Sequence, residues 1–268
     1  MTLEINKIYN EDCLETMKKM KDNFIDLTVT SPPYDNLRDY KGFHFNFEEI
    51  AKELYRVTKL GGVVVWIVGD QTENGTESGT SFKQALFFKE IGFNIHDTMI
   101  YEKSGTPYPE NVRYYQIFEY MFIFSKGKPK TYNLIKDKIN TQFNKTGGTS
   151  FRQKDGSLKS KTGIRIGEFG IRNNIWRYIT GKNNSTKDEI AFKHPAIFPE
   201  NLAEDHIISW SNSNDLIYDP FTGSGTTLKM ALLNNRNFIG SEISKEYTHI
   251  AQQRIQKHQN ILENRLDI

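Results

Sequence analysis

The stretch Asp219-Pro220-Phe221-Thr222-Gly223-Ser224-Gly225-Thr226-Thr227 constrains the fold more than any other part of the chain. Leu216-Ile217-Tyr218 before it is a short apolar run of strand type. After it, Leu228 to Leu233 reads as a helix, and Phe238-Ile239-Gly240-Ser241-Glu242 as a second strand. A strand, a Gly-rich turn and a helix make an α/β cradle for a nucleotide-like ligand. The glycines let the backbone come close, and the helix N-terminus offers free N–H groups. Glu242, at the end of the following strand, is placed to accept from ribose hydroxyls. No third glycine follows Gly225 at the dinucleotide spacing, and a Gly-x-Gly alone reads equally well as a tight turn.

A second motif lies near the N-terminus. Thr30-Ser31-Pro32-Pro33-Tyr34 follows Ile25-Asp26-Leu27-Thr28-Val29, a β-branched run of buried parallel type. The prolines stiffen the backbone just past the strand end, where ligands bind in open α/β sheets. They donate no N–H, so the loop presents carbonyl oxygens, the Ser31 hydroxyl and an aromatic ring, a surface suited to a flat substrate with an amino group. By itself the motif reads as a rigid turn. Ser-Pro-Pro-Tyr followed far downstream by Asp-Pro-Phe-x-Gly-Ser-Gly-Thr resembles the S-adenosylmethionine-dependent amino-methyltransferases of DNA, in the β-class order with the catalytic motif first.

Length, charge and cysteine content narrow the reading. The 268 residues suffice for one large α/β domain or a domain with an insertion. The net charge of +2 is unevenly spread: residues 126–193 hold twelve Lys and four Arg against five acids, +11, leaving −9 elsewhere. Such a segment reads as a polyanion footprint or as a solvated Lys-rich loop. The single cysteine, Cys13, excludes a disulfide framework and a multi-cysteine metal site. It follows Asp12 at a helix start and reads as a small buried residue. The thiolate used to methylate a pyrimidine ring carbon is therefore not indicated. No His/Cys/Asp ligand cluster is visible, so no metal is expected. Without a signal peptide or an apolar run of membrane length, the expected location is cytoplasmic.

In chain order, Ile5 to Asn10 reads as a strand, and Leu14, Met17 and Met20 recur at helical spacing. Phe47 to Thr58 is a helix ended by Leu60-Gly61-Gly62, and Val63 to Val68 a buried strand. Asp70 to Thr80 is a loop and Ser81 to Glu90 a helix. Phe93 to Glu102 and Gln116 to Ser125 are antiparallel strands at the sheet edge. Lys126 to Lys193 reads as a mostly irregular insertion with a small core at Ile171, Ile175 and Trp176. Glu200 to Trp210 and Ser244 to Leu262 are helices, the latter with Tyr247, Ile250 and Ile255 inward.

The resemblance implies a Rossmann-like α/β methyltransferase fold, with a mixed, mostly parallel sheet and circularly permuted motif order. The strand ending at Asp12 then supplies the sheet position that would follow Glu242. It divides the chain into a catalytic half (1–125), a target recognition region (126–193) and a cofactor half (194–268). Ser31, Pro32, Pro33 and Tyr34 would be catalytic, with Ser31 and the Pro32 carbonyl accepting from the amine and Tyr34 stacking on a flipped base. Asp219, Pro220, Phe221, Gly223, Ser224, Gly225, Thr226 and Glu242 would bind the cofactor. His194-Pro195 and Phe198 would cover its methionine end. Asp12 would take the adenine amino group, a role that competes with a plain helix N-cap. Lys145, Arg152, Lys154, Lys159, Lys161, Arg165 and Arg172 would contact double-stranded DNA.

In the family, Ser at the first motif position usually accompanies cytosine N4 methylation, and Asp or Asn adenine N6. A cognate restriction endonuclease and a homodimer are partners that the resemblance allows. An RNA or protein-glutamine methyltransferase, a nicotinamide-dependent oxidoreductase and a non-catalytic DNA-binding module are the competing readings.

Overall fold

The structure, a computed structural model, describes residues 3–33, 45–105 and 112–266. The chain begins with β1 (Lys7–Tyr9), α1 (Cys13–Lys18), β2 (Ile25–Thr30), α2 (Phe47–Val57) and β3 (Thr58–Val68). A two-residue hairpin, β4 (Thr72–Glu73) and β5 (Thr76–Glu77), precedes α3 (Thr80–Glu90), β6 (Asn94–Lys103) and β7 (Phe118–Ser125). Then come β8 (Lys138–Ile139), β9 (Thr146–Arg152), β10 (Leu158–Arg165), β11 (Phe169–Gly170) and β12 (Ile175–Tyr178). A 3-10 turn at Glu189–Lys193 leads to α4 (Glu200–Trp210), β13 (Leu216–Asp219), α5 (Thr226–Leu233), β14 (Asn237–Ser241) and α6 (Lys245–Leu266).

Eight strands form one mixed sheet in the order β1-β14-β13-β2-β3-β7-β6-β12. All neighbours are parallel except β7, which runs against both β3 and β6. The C-terminal ends of β1, β14, β13, β2, β3 and β6 therefore share one edge with the start of β7. That edge is where a parallel sheet binds ligands. β1 pairs beside β14, as the permuted order requires.

The run Val63–Val68 is at most 1% exposed because helices cover both faces of the sheet. Successive strand side chains point to opposite faces. Accordingly Val64, Trp66 and Val68 join one cluster with Met17, Leu54 and Phe88 from α1, α2 and α3. Each such side chain contributes roughly 1.5–3 kcal/mol by leaving water.

Two expectations about this region need correction. Leu60-Gly61-Gly62 does not separate a helix from a strand, since β3 already begins at Thr58. Gly61, at φ +83°, makes an irregularity inside the strand, and the β2–β3 register shifts there. The antiparallel pair is not the edge: β12 adds outside β6, placing Trp176 in the main sheet against His206 of α4.

The chain divides into two units, residues 134–173 and the remainder. Segments 126–133 and 174–193 thus belong with the sheet. The smaller unit is not mostly irregular: β9 and β10 pair as an antiparallel ribbon, with Lys159 opposite Phe151 and Lys161 opposite Thr149. Nor does it hold the expected small core: Ile171 is more than half exposed, and Ile175 and Trp176 belong to β12 of the larger unit. Its stability comes from ribbon hydrogen bonds and from turns such as the Asp155 cap on Ser157. Among the described residues no helix is long and apolar enough to cross a membrane.

Candidate active site

A cavity of about 1270 Å³ opens along the strand-end edge of the larger unit. The side expected to take the cofactor is built from the ends of β1 and β14 and from the Gly-rich turn after β13. Glu242 is 9% exposed and lines the cavity. Its Oε2 accepts the Gly223 N–H at 2.8 Å and its Oε1 the Ser244 N–H at 2.8 Å. Burial pushes the carboxyl up, and these backbone bonds oppose the shift. A carboxylate has about four acceptor positions, so two remain for hydroxyl donors. Asp12 also lines the cavity while its Oδ1 caps α1 through the Leu14 N–H at 2.8 Å. The N-cap role is thus observed, on a residue that also faces the cavity.

Gly223 and Gly225 have different jobs. Gly223 (φ +50°) lines the cavity, and a Cβ there would lie 2.9 Å from the His194 imidazole. The His194 ring also meets Tyr247 edge-on at 4.4 Å between centroids. Gly225 (φ +82°) sits behind the wall, where a Cβ would come 3.0 Å from that of Ala251. Its glycine serves the packing of α5 on α6.

Asp219 does not line the cavity. It is 1% exposed, with Oδ1 accepting from Thr30 Oγ1 at 2.7 Å and from the Phe221 N–H at 3.1 Å. Burial pushes its pKa up to about 6. It joins the end of β2, just before Ser31, to the start of the Gly-rich turn after β13, and presents no face to the cavity.

Pro220, Phe221, Ser224, Thr226, Pro195 and Phe198 line the cavity with Ser31, Pro32 and Pro33. Tyr34 lies outside the described residues. Cys13 also lines it, but burial and the Asp12 charge push its thiol well above the usual range. It is no thiolate at neutral pH.

Sequence reasoning missed what holds this wall from behind. Arg254 of α6 is fully buried, and its Nη1 donates to the Ser224 carbonyl at 2.5 Å and to Ser224 Oγ at 3.2 Å. Its Nη2 donates to Glu200 at 2.6 Å, and Lys229 bridges Glu200 and Asp188 at 2.7 and 2.8 Å. Burial would raise the Asp188 carboxyl, but bonds from Lys229, Lys257 and His258 hold it well below the ordinary range. No local motif marks these residues. Only the opposite charges, widely separated in sequence and lying on inward helix faces, could have pointed to them.

In the smaller unit, Lys145, Arg152, Lys154, Lys159, Lys161 and Arg165 are exposed. Arg172 is neutralised by Asp137, with Nε donating at 2.8 Å. Arg172 is thus a structural ion pair first, and its expected phosphate contact would have to displace a carboxylate.

An eight-stranded sheet with a Gly-rich turn, a carboxylate on the next strand end and a proline loop beside them defines an S-adenosylmethionine-type α/β methyltransferase. Solved structures agree on the fold. The PvuII DNA methyltransferase (cytosine-N4-specific) superposes with a TM-score of 0.69 at 21% identity, covering 94% of this chain and 87% of the other. The S-adenosylmethionine complex of M1.HpyAVI superposes with a TM-score of 0.62 at 25% identity, covering 93% and 98%. A family model described as DNA methylase, for the N6 and N4 enzymes, matches residues 25–253. The chain belongs to this family of S-adenosylmethionine-dependent DNA amino-methyltransferases of the restriction–modification type. It is 61% identical over 255 residues to the orphan methyltransferase M.BamHII of Bacillus amyloliquefaciens, covering 92% of this chain and 96% of that protein. It is 29% identical to the type II methyltransferase M.BglII of Bacillus subtilis, covering 93% and 68%.

Proposed function

We propose that this chain methylates the N4 amine of cytosine in duplex DNA. The observation that carries the proposal is Ser31-Pro32-Pro33 at the end of β2, lining one cavity with Glu242, with Ser in the first motif position. When bound, S-adenosylmethionine supplies an electrophilic methyl group on a sulfonium. The donor set fits it: Glu242 keeps acceptor capacity for ribose hydroxyls, Asp12 offers a carboxylate to the adenine amine, and Pro195 and Phe198 give an apolar cover.

The exocyclic amine is a weak nucleophile because its lone pair is delocalised into the ring. Ser31 Oγ and the Pro32 carbonyl accept its two N–H groups, which frees the lone pair to point along the transfer line. Proximity and exclusion of water supply much of the rate. Tyr34 stacks on the flipped base in this reading. The exposed cations on the β9–β10 ribbon support phosphate contacts, since a two-stranded ribbon fits the major groove. A DNA substrate goes with a cytoplasmic location. A cognate nuclease is a separate proposal, to which the name of the orphan relative lends no support.

The test is nucleoside mass spectrometry and single-base mapping of DNA from cells expressing the chain. N4-methylcytosine at a fixed motif is the expected product. N6-methyladenine alone would overturn the base assignment and leave the family intact.

A further inference from the structure

The cavity extends beyond the catalytic loop, and its far wall is polar. Counting from the cofactor side, the strand ends run β14, β13, β2, β3, β7 and β6. Glu242 belongs to the first, Ser31 to the β2 end, Glu119 to β7 and Lys103 to β6, and all four line the same cavity. Glu119 pairs across the ladder with Tyr101, and Lys103 lies two residues beyond Tyr101. All three side chains therefore share one face of the sheet. Lys103 Nζ meets Glu119 Oε1 at 2.5 Å, with the carboxylate side chain 10% exposed and the lysine 36%. Among the described lining residues the other lysine, Lys83, is on the exposed surface of α3.

A base whose amine sits at Ser31 must extend away from the cofactor, toward β7 and β6. Adjacent strands lie about 4.8 Å apart, so Glu119 is roughly 10 Å from β2. Two hydrogen bonds of about 2.9 Å and the width of a pyrimidine from N4 to O2 span about the same distance. Beside its amine, cytosine carries two acceptors in a row, N3 and O2. Adenine has N1 followed by a C–H. A held ammonium therefore suits the cytosine edge.

We propose that Lys103, oriented by Glu119, is a specificity-determining residue that donates to the N3/O2 edge of the flipped cytosine. The proposal rests on the cytosine N4 reading above. Glu119 fixes the ammonium and compensates its charge, so the lysine has a set position before the base enters.

The test uses the full chain, first mapping the product and then measuring single-turnover methylation at saturating S-adenosylmethionine. Duplexes carry either the target cytosine or a 2-aminopyridine C-nucleoside, which keeps the amine and ring nitrogen but has C–H in place of the carbonyl. Wild type should lose about ten- to a hundredfold on the analogue. Lys103→Met should lose a similar factor on cytosine, and little more on the analogue. Lys103→Arg, which keeps the charge, should recover part of the rate. Cofactor affinity should stay near wild type in both; Lys103→Met should melt lower because it removes the ammonium from the Glu119 carboxylate, and a merely structural lysine would show that change without coupling to a single carbonyl. If the analogue penalty is undiminished in Lys103→Met, or if neither variant slows the reaction, the assignment is wrong. Mapping that returns N6-methyladenine overturns the cytosine reading and this proposal with it. N4-methylcytosine with an uncoupled cycle overturns this proposal alone. Should Lys103→Met not fold, the same coupling is read with Lys103→Arg and Glu119→Gln.

Discussion

Glu242→Gln tests the cofactor wall with little change in volume. In the native protein each carboxylate oxygen takes one backbone N–H, from Gly223 and from Ser244. An amide keeps one acceptor and turns its NH₂ toward the other donor, so one buried N–H loses its partner. That loss costs about 1–3 kcal/mol of stability. In the proposed site the charge-assisted bond to a ribose hydroxyl would also become an ordinary one, or be lost, at about 1.5–3 kcal/mol. At about 1.4 kcal/mol per factor of ten, S-adenosylmethionine affinity should fall on the order of ten- to a hundredfold. Calorimetric titration gives the affinity, and a thermal melt without ligand gives the structural part separately. A variant that melts lower yet binds the cofactor as tightly as wild type would show that Glu242 only pins the turn. Unchanged melting and unchanged affinity together would refute both parts of the reasoning.

Ser31→Ala should leave cofactor affinity intact and slow methyl transfer by about tenfold or more, since in the proposed mechanism the hydroxyl serves only the amine; a native single-turnover rate would remove Ser31 from the chemistry. Asp219 releases its proton near pH 3.8 when unfolded and near 6 when folded, so the folded state holds the extra proton between these values. Stability from this group falls as pH rises through that window, by up to about 3 kcal/mol. Melting curves of wild type and Asp219→Asn should therefore differ in slope between pH 4 and 6, and parallel curves would contradict the buried charge. Pairwise Lys→Ala changes at Lys159 and Lys161 should lower the logarithmic salt dependence of DNA binding by about 0.9 per lost phosphate contact. A constant slope would make the ribbon a solvated surface.

The sheet was legible where periodicity and turn chemistry agree. The β-branched run before Ser31, the apolar triplet before Asp219 and α4 needed no long-range information. The failures share a cause: each depended on a partner distant in sequence. Gly61 looked like a helix terminator until the β2 register showed an irregularity within a strand. Trp176 sat in a polar, Lys-rich segment, and only pairing with β6 reveals it as sheet core. The site was similarly divided. Glu242, Ser31 and Gly223 line the cavity as expected of strand-end residues, because each sits in or beside a strand-end turn that the sequence marks. Asp219 lies off the cavity because its carboxylate is taken up by Thr30, a bond to a residue 189 positions away that the sequence does not signal. Arg254 and the Lys103–Glu119 pair carry no local signature.

The β1–β14 pairing has a consequence for synthesis. Asn10 bonds to the carbonyl of Glu242 across 232 positions, so one rim of the cavity joins two segments far apart in the chain. Closing so long a loop must precede any reward from the contacts it brings. Until Glu242 has left the ribosome, a nascent chain has the Ser31 loop but not the complete cavity that the two residues line together. Because the β1–β14 pairing forms this rim, a ligand held there would favour the paired arrangement and oppose separation of the two segments.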